Sequence, residues 1–576
     1  MSSLGHQLAT SVLVVGAGGS GLRAAIEVAE AGIAVIAVAK RAADDVHTVT
    51  TSGCLAEAPP ATGPEDTWER HAADTLREGH LLADPRTAQI VARHAAQGFH
   101  DVRRYGVRLD RQGRGGTARR GFGDHPYRRT AFTGEHAGLE VRRALRERAE
   151  QLAVPVLSNV YVTRLLVDDG TVFGAYGFDL VDGSRYLVHA DSVILATGGH
   201  TRIWRHTSSR RGENTGDTFR LAVEAGARLR DPELVQFHPF GLIRPETAAG
   251  IPVSEAARGV GGVLLNNLGE RFMTRYDAER MELCGRDRVA LASYTEIKEG
   301  RGTQAGGVWL DLSHLPRETV LTRLPRVHKA LLDLQMLDIT RDPVEVAPTA
   351  QYSMGGVWVR PEDHSTDVDG LFVAGEAASG LHGANRLEEN ALIELLVYGR
   401  IAGRAAAEYS ARLTSQHRSP AAVRAAEADV DRLAAADGDQ NVRALHRSVR
   451  HLMTERAGVV RDEAGLAAGL AELDAIEARM ACLGVHIDIA GFEDLAYAFD
   501  LRSAVLAARA TLLCALERRE TRGCHNRSDH PDVDPDLHVN LVWSPTSGVR
   551  REPVPPVPTH IAELMHAVPA DARSIE

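Results

Sequence analysis

Apolar runs and their spacing divide the chain into elements. Val12–Val15 is an unbroken apolar run; glycines follow, then apolar residues at helical spacing, then a second apolar run closing at Val38. Ser11 to Lys40 therefore predicts buried strand, tight turn, amphipathic helix and second strand. Thr67 to Arg104 and Leu139 to Leu152 are again periodic at helical spacing. Val154 to His189 alternates apolar and polar residues around Asp169-Gly170 and Asp182-Gly183, the pattern of a β-meander. Two more buried strands are expected at Asp191–Gly199, ending Thr197-Gly198-Gly199, and at Thr366–Glu376. Between them, Asn214-Thr-Gly-Asp217 predicts a helix start capped by Asp217. Pro420 to Arg519 is rich in Ala, Leu, Glu and Arg with few breakers and predicts a helical bundle, while Pro553 to Pro558 predicts an extended strap.

The turn after Val15 carries Gly16, Gly18, Gly19 and Gly21, in which Gly16, Gly18 and Gly21 form G-x-G-x-x-G. Such spacing permits a tight turn, lets a pyrophosphate approach the backbone, and packs helix on strand with the helix N-terminus facing the phosphates. An NAD site would close its second strand with an acidic residue, whereas this strand closes with Lys40-Arg41. The segment Thr366–Glu376, an apolar strand closing on Gly375-Glu376, is similar to a second FAD fingerprint, with Glu376 on a sugar or ribityl hydroxyl. FAD is the expected dinucleotide.

Composition narrows the rest. A chain of 576 residues is too long for one core and suggests about three domains. A net charge of -11 argues against nucleic acid as partner. The arginine-rich stretch Arg103 to Arg129, with its many glycines, is expected to be a solvated loop rather than an anion site. No apolar run approaches the roughly twenty residues of a membrane span, and the polar N-terminus is too short for a signal peptide. Cys54, Cys284, Cys482, Cys514 and Cys524 never fall as C-x-x-C, which excludes a zinc ribbon, a disulfide framework and an on-chain iron-sulfur cluster of ordinary spacing. No metal site is expected, and a cytoplasmic location fits.

Several segments, taken in order, resemble the succinate dehydrogenase/fumarate reductase flavoprotein family, with L-aspartate oxidase-like relatives included. They are Lys40 to Gly53, Gln236-Phe-His-Pro-Phe-Gly241, Ser254-Glu-Ala-Ala-Arg-Gly259, Gly269-Glu-Arg-Phe-Met273, Gly285-Arg-Asp287, Pro348 to Gly356, His382-Gly-Ala-Asn-Arg-Leu387 and Glu520 to His525. The resemblance implies an α/β architecture: a Rossmann-like two-dinucleotide-binding FAD domain over residues 1–235 and 347–415, an inserted α+β capping domain over 236–346, a helical domain over 416–545 and a tail over 546–576. On its register His47 falls at a histidine that many members bond covalently to the flavin. Lys40, Thr48, Gly53, Thr197, Gly198, Asp217, Asn390 and Leu392 join the glycines and Glu376 on the cofactor.

The implied reaction is hydride transfer at flavin N5 between succinate and fumarate or a close dicarboxylate. A dicarboxylate must be clamped in place, and arginine suits the clamp through its planar donor fork. The resemblance assigns Arg386 to one carboxylate with His238, Ser254 and Gln351 around the substrate, Arg286 to the proton, and Glu255 and Arg258 to its relay. Gln351 stands where the family has histidine, Phe240 where it has threonine, Ala256 where it has glycine, and Glu388-Glu389 where it has small residues. These departures put a plain succinate pocket in question. A respiratory role requires iron-sulfur centres on a separate subunit, and through it membrane association. The rival readings are a stand-alone oxidase of the L-aspartate oxidase type and a flavin-binding partner subunit without catalysis.

Overall fold

The computed structural model describes residues 5–41, 46–50, 55–56, 66–112, 116–117, 119–120, 129–131, 136–487 and 491–566. Strand β1 (His6–Val15), helix α1 (Gly19–Glu30) and strand β2 (Val35–Val38) form the expected unit, with Val12 opposite Val35 and Val15 opposite Val38 in parallel register. Residues 12 to 15 are buried because this strand is covered on both faces.

The central sheet has seven strands. Val156–Leu157, β2, β1 and Arg185–Leu195 lie side by side in parallel; Thr171–Asp179 and Val160–Asp168 continue antiparallel, and Leu371–Val373 joins Arg185–Leu195 in parallel. The last strand of the meander and the buried strand expected at Asp191 are one element. Its first half pairs with the meander and its second half with Leu371–Val373, and its burial changes from partial to complete between them. The helix Asn390–Arg412 crosses α1 at close range. Methyl groups at Gly399 and Gly403 would come within 2.8 Å of Ser20 O and 2.6 Å of Ala24 O, so only glycine allows this approach.

A separate antiparallel sheet pairs Val235–Leu242, Val344–Ser353, Val308–Asp311 and Val263–Leu265 in that order, over its own apolar core from Phe240 to Val346. The division expected at 346/347 falls inside the strand Val344–Ser353, which runs on toward the FAD-binding body. Four long helices, Pro420–Ala434, Val442–Arg456, Glu463–Arg479 and Glu493–Glu517, make up the helical region. The division expected at 545/546 cuts a hairpin: Val539–Ser544 and Gly548–Pro553 pair with each other, and the first pairs with Leu229–Arg230. The strap after Pro553 ends in a short helix, Thr559–His566, anchored by the fully buried Ile561.

Two expectations need correction. Arg129 is not solvated: it is completely buried and paired with Asp66 at 2.7 Å and Asp74 at 2.9 Å, because a guanidinium fork can serve two carboxylates. Asp217 does not cap its helix, since Gly216 in a left-handed conformation occupies the cap and Asp217 turns to Lys40. Among the described residues no helix is long and apolar enough to cross a membrane, and the described cysteines form no disulfide.

Candidate active site

A cleft opens at the N-terminus of α1. Gly16, Gly18, Gly19, Lys40, His47, Thr48, Thr197, Gly198, Asp217, Glu376 and Leu392, all expected on the cofactor, line it. Helix α1 begins at Gly18 without a capping side chain and without an acidic residue in its first turn. Gly19 N–H donates to Thr48 Oγ1 at 3.1 Å, and the positive end of the helix dipole is left facing the cleft, where it favours an anionic ligand. At Gly16, φ is +104° and a Cβ would lie 2.3 Å from Ala196 O; at Gly21 a Cβ would lie 1.8 Å from Gly16 O. The glycines are required by close approach as well as by the ligand. At the far wall Glu376 accepts from Ser353 N at 3.0 Å and Asn214 Nδ2 at 3.3 Å, and burial holds its carboxyl above the usual range. This cradle fits FAD: phosphates at the helix start, hydroxyls at Glu376, and an apolar wall from Val38, Leu392 and Leu395.

Other cofactor candidates are engaged differently. Lys40 Nζ donates to Asp500 at 2.6 Å and Asp217 at 3.0 Å beneath the Tyr161 ring. Burial would lower the Lys40 ammonium, but the two carboxylates hold it above its ordinary value, and Asp217, despite burial, is drawn down to about 2 by Lys40 and Arg220. Asp500, from the helical region, had no local signal in the sequence. His47 Nδ1 lies 3.4 Å from Glu213 Oε2; burial would lower its pKa, but the carboxylate raises it. Asn390 turns from the cleft to His71 at 2.8 Å and Thr75 at 2.9 Å, so its role is to fix the start of its helix. Gly53 lies outside the described residues.

The substrate candidates converge where the capping sheet meets the returning FAD chain. Arg286, at the first position of its helix, donates to Glu255 Oε2, to Glu388 Oε1 at 3.0 Å and to Gln236 Oε1 at 3.3 Å. Arg258 donates to Glu255 Oε1 at 2.6 Å and to the same Glu388 Oε1 at 3.1 Å. Glu255-x-x-Arg258 thus meets across one helical turn, as the spacing predicted. Burial would raise Glu255, yet Arg258 and Arg286 hold its carboxyl well below the usual range. Arg286 is driven above its ordinary value by Glu255 and Glu388 against the effect of burial.

His238 lies 3.7 Å from Glu255, and burial lowers its pKa to about 3. Phe240 N–H donates to His238 Nδ1 at 3.1 Å, which leaves the ring hydrogen of the neutral imidazole on Nε2. Arg386 stacks over the Tyr352 ring at 4.7 Å, and Tyr352 in turn lines the FAD cleft. The buried Arg386 Nε and Gln351 Oε1 have no hydrogen-bond partner among the described residues. Ser254 instead accepts from Ala256 N at 3.3 Å, a turn contact that opens the short helix carrying Arg258. Phe240 is fully buried in the capping core and touches His238 only edge-on, so it adds no bulk to the open side of the imidazole.

Sequence reading gave no role to three residues that complete this cluster. Gln236 donates to Asn385 at 2.8 Å and to Arg386 O at 3.1 Å while accepting from Arg286. Glu388 ties Arg258 and Arg286 together. Glu394 accepts from Tyr352 OH and lies 3.0 Å from His382 Nε2, which braces the Tyr352 ring under Arg386. The apolar pattern pointed to none of these, because Gln236 and Glu394 are buried polar groups on otherwise apolar elements and Glu388 lies in the turn before the helix Asn390–Arg412.

Two family profiles match the chain: "FAD binding domain" over residues 11–392 and "Fumarate reductase flavoprotein C-term" over residues 446–562. A fumarate reductase (CoM/CoB) subunit of Methanothermobacter marburgensis is 39% identical over 533 residues, covering 92% of this chain and 96% of that one. The fumarate reductase flavoprotein subunit of Mycobacterium tuberculosis is 34% identical over 567 residues, covering 94% and 96%. Among solved structures, a mutant form of the E. coli quinol fumarate reductase FrdA aligns with a TM-score of 0.90 at 29% identity, covering 96% of this chain and 99% of that one. Mycobacterium smegmatis Sdh1 in complex with UQ1 aligns with a TM-score of 0.88 at 35% identity, covering 96% of each.

Proposed function

Because the chain belongs to the succinate dehydrogenase/fumarate reductase flavoprotein family, whose members are FAD-dependent oxidoreductases acting on CH–CH bonds, we propose that it interconverts succinate and fumarate or a closely related dicarboxylate. The observation that carries this reading is the buried Glu255, Arg258 and Arg286 cluster, joined through Gln236 to the Arg386 backbone, with Arg386 Nε buried and without a partner among the described residues, which calls for a polar ligand. FAD, when bound in the cleft, supplies or accepts the hydride.

The chain's own residues do the rest. Arg386 offers a cationic fork to one carboxylate, held at a fixed height by the Tyr352 ring. His238 donates from Nε2 as a neutral group, because burial keeps the imidazole uncharged at working pH. Arg286 delivers a proton to the substrate carbon during reduction and takes one during oxidation. A guanidinium is a weak acid, but the developing carbanion is a strong base, so the transfer is matched. Glu255 and Arg258 re-form the charge on Arg286 through the hydrogen bonds that join them.

Gln351 can donate a hydrogen bond but carries no positive charge, so one carboxylate is held by neutral and distant groups. That favours a substrate whose second end is less demanding than a plain carboxylate. Relatives are named for different electron partners, one for CoM/CoB and one for 8-methylmenaquinol. The partner of this chain is therefore assigned by chemistry alone: a separate subunit with iron-sulfur centres, through which any membrane association runs. The decisive experiment is turnover of succinate, fumarate and L-aspartate by the flavin-loaded chain, with and without an artificial electron acceptor. Reduction of fumarate or oxidation of succinate with dye is expected. Oxygen-dependent oxidation of L-aspartate alone would replace this reading with the oxidase, and no turnover of any of the three would favour a non-catalytic flavin subunit.

A further inference from the structure

Glu388 lies within the cluster just described but takes no part in the proton transfer proposed above, and it occupies a position where the family resemblance calls for a small residue. Its side chain is 1% exposed, and its Oε1 accepts from Arg286 Nε at 3.0 Å and from Arg258 Nη2 at 3.1 Å. Glu255 accepts from the same two guanidiniums, so two carboxyls and two guanidiniums form one closed ring. The two carboxyls therefore face each other across the same pair of guanidiniums, with no water-exposed side to either. Like charges this close in a buried site cannot both ionise freely. Resting on the reading above, we propose that Glu388 is a proton store for Arg286, holding the proton that re-forms the Arg286 guanidinium after each transfer to substrate.

The proton balance is simple. Arg286 gives one proton to the substrate carbon and becomes a neutral guanidine. The Glu388 carboxyl gives its proton to the Arg286 edge that it shares with Glu255, and Glu388 becomes a carboxylate. No electrons move on the protein. In oxidation each step reverses, and an ionised Glu388 accepts the proton that Arg286 took from carbon.

The charged neighbours, taken together, favour one asymmetric arrangement. Glu255, with contacts to both arginines and His238, keeps the charge; Glu388 takes the proton, because burial and the Glu255 charge push its carboxyl up to about 8 despite Arg286 and Arg258. Glu389 and Arg386 flank the site, and the nearby His238 stays neutral. A dianionic substrate adds negative charge and favours the protonated form further. Below about pH 8 the store is full and serves reduction; above it the store is empty and serves oxidation. Since Glu255, Arg258 and Glu388 are all buried, a local store spares the proton a slow passage from solvent during the chemical step.

The test uses the flavin-loaded protein, with wild type, Glu388→Gln and Glu388→Asp compared. Infrared difference spectra between about pH 6 and about pH 10 should show one protonated carboxyl band lost around pH 8 in wild type, absent in Glu388→Gln and retained at a shifted pH in Glu388→Asp. Fumarate reduction in wild type should fall as pH rises through about 8. Glu388→Gln should lower kcat by about 10²-fold with flavin content unchanged and should lack that alkaline limb, and Glu388→Asp should restore part of both. The inference is overturned if wild type shows no such band, if the band survives in Glu388→Gln, or if Glu388→Gln keeps the wild-type pH profile. Should wild type turn over neither acid, the proposed reaction falls, and the infrared titration still decides whether Glu388 holds the proton.

Discussion

Arg286 is the group on which the proposed chemistry depends most, and its two simplest substitutions separate structural from chemical roles. Arg286→Gln removes the positive charge between Glu255 and Glu388 and leaves both on Arg258 alone. Breaking a buried ion pair from one side costs roughly 3–5 kcal/mol. The cost should sit at the low end here, because Glu388 is already inclined to take up a proton. Arg286→Lys keeps the charge but cannot serve Glu255, Glu388 and Gln236 from one planar fork, so about 1 kcal/mol is expected from the lost hydrogen bonds. Turnover should behave otherwise. Both variants lose the positioned proton donor, worth about 10² to 10⁴ in rate, or roughly 2.7 to 5.4 kcal/mol in activation free energy. The measurements are urea unfolding, flavin content, and fumarate reduction by reduced dye. Stability ranked wild type, Lys, Gln, with turnover equally low in both variants, is the expected outcome. If Arg286→Lys turns over within about threefold of wild type, Arg286 is a structural strut and the proton comes from another group.

Two further outcomes follow from the site. FAD should be bonded to His47, so acid-denatured wild type should show flavin fluorescence on the polypeptide and His47→Ser should not; fluorescence only in the supernatant of wild type removes the linkage. Gln351→His should improve kcat/KM for fumarate by about tenfold through a charge-assisted bond to one carboxylate, whereas Phe240→Thr should mainly cost about 3–5 kcal/mol of stability by hollowing the capping core; an unchanged kcat/KM in Gln351→His would show that neutral donors suffice.

The strands and helices were legible because burial is written as periodicity: an apolar run such as Val12–Val15 can only be a covered strand, and Leu139 to Leu152 can only be a helix with one buried face. The glycine cradle was legible because close backbone approach permits no other residue at Gly16 or Gly21. What the pattern hid were the pairings between distant elements. Nothing local tells Lys40 that Asp500, in the last long helix, will bind it at 2.6 Å, nor tells Arg129 that it will be buried between Asp66 and Asp74. The hairpin across residue 545 was missed for a similar reason, since its edge is stabilised by Leu229–Arg230 from the other end of the fold. Glu388 read as a departure from a motif, and only the two arginines beside it give it chemistry.

The least conspicuous of these pairings sets the spacing of the whole cluster. Gln236, fully buried on the strand Val235–Leu242, holds Arg286 through its carbonyl oxygen and the Arg386 backbone and Asn385 through its amide nitrogen. One side chain therefore fixes the proposed proton donor relative to the proposed carboxylate clamp. Gln236→Leu keeps the size but strands a guanidinium N–H and the Arg386 carbonyl, at about 1–3 kcal/mol each before relaxation, and leaves Asn385 Oδ1 with only Cys524 Sγ as donor. Gln236→Glu retains the acceptor facing Arg286 but loses the donor to Asn385 and Arg386 O. Since Gln236 does not line the FAD cleft, both variants should keep their flavin. A misplacement of about 1 Å between reacting groups costs about 10² in rate, so kcat should fall about that far in both. The change in KM should be smaller, because Arg386 still carries its charge. Fumarate reduction with flavin content measured in parallel checks this: kcat within about threefold of wild type in Gln236→Leu would mean that the helix starting at Arg286 and the loop carrying Arg386 hold their separation without it.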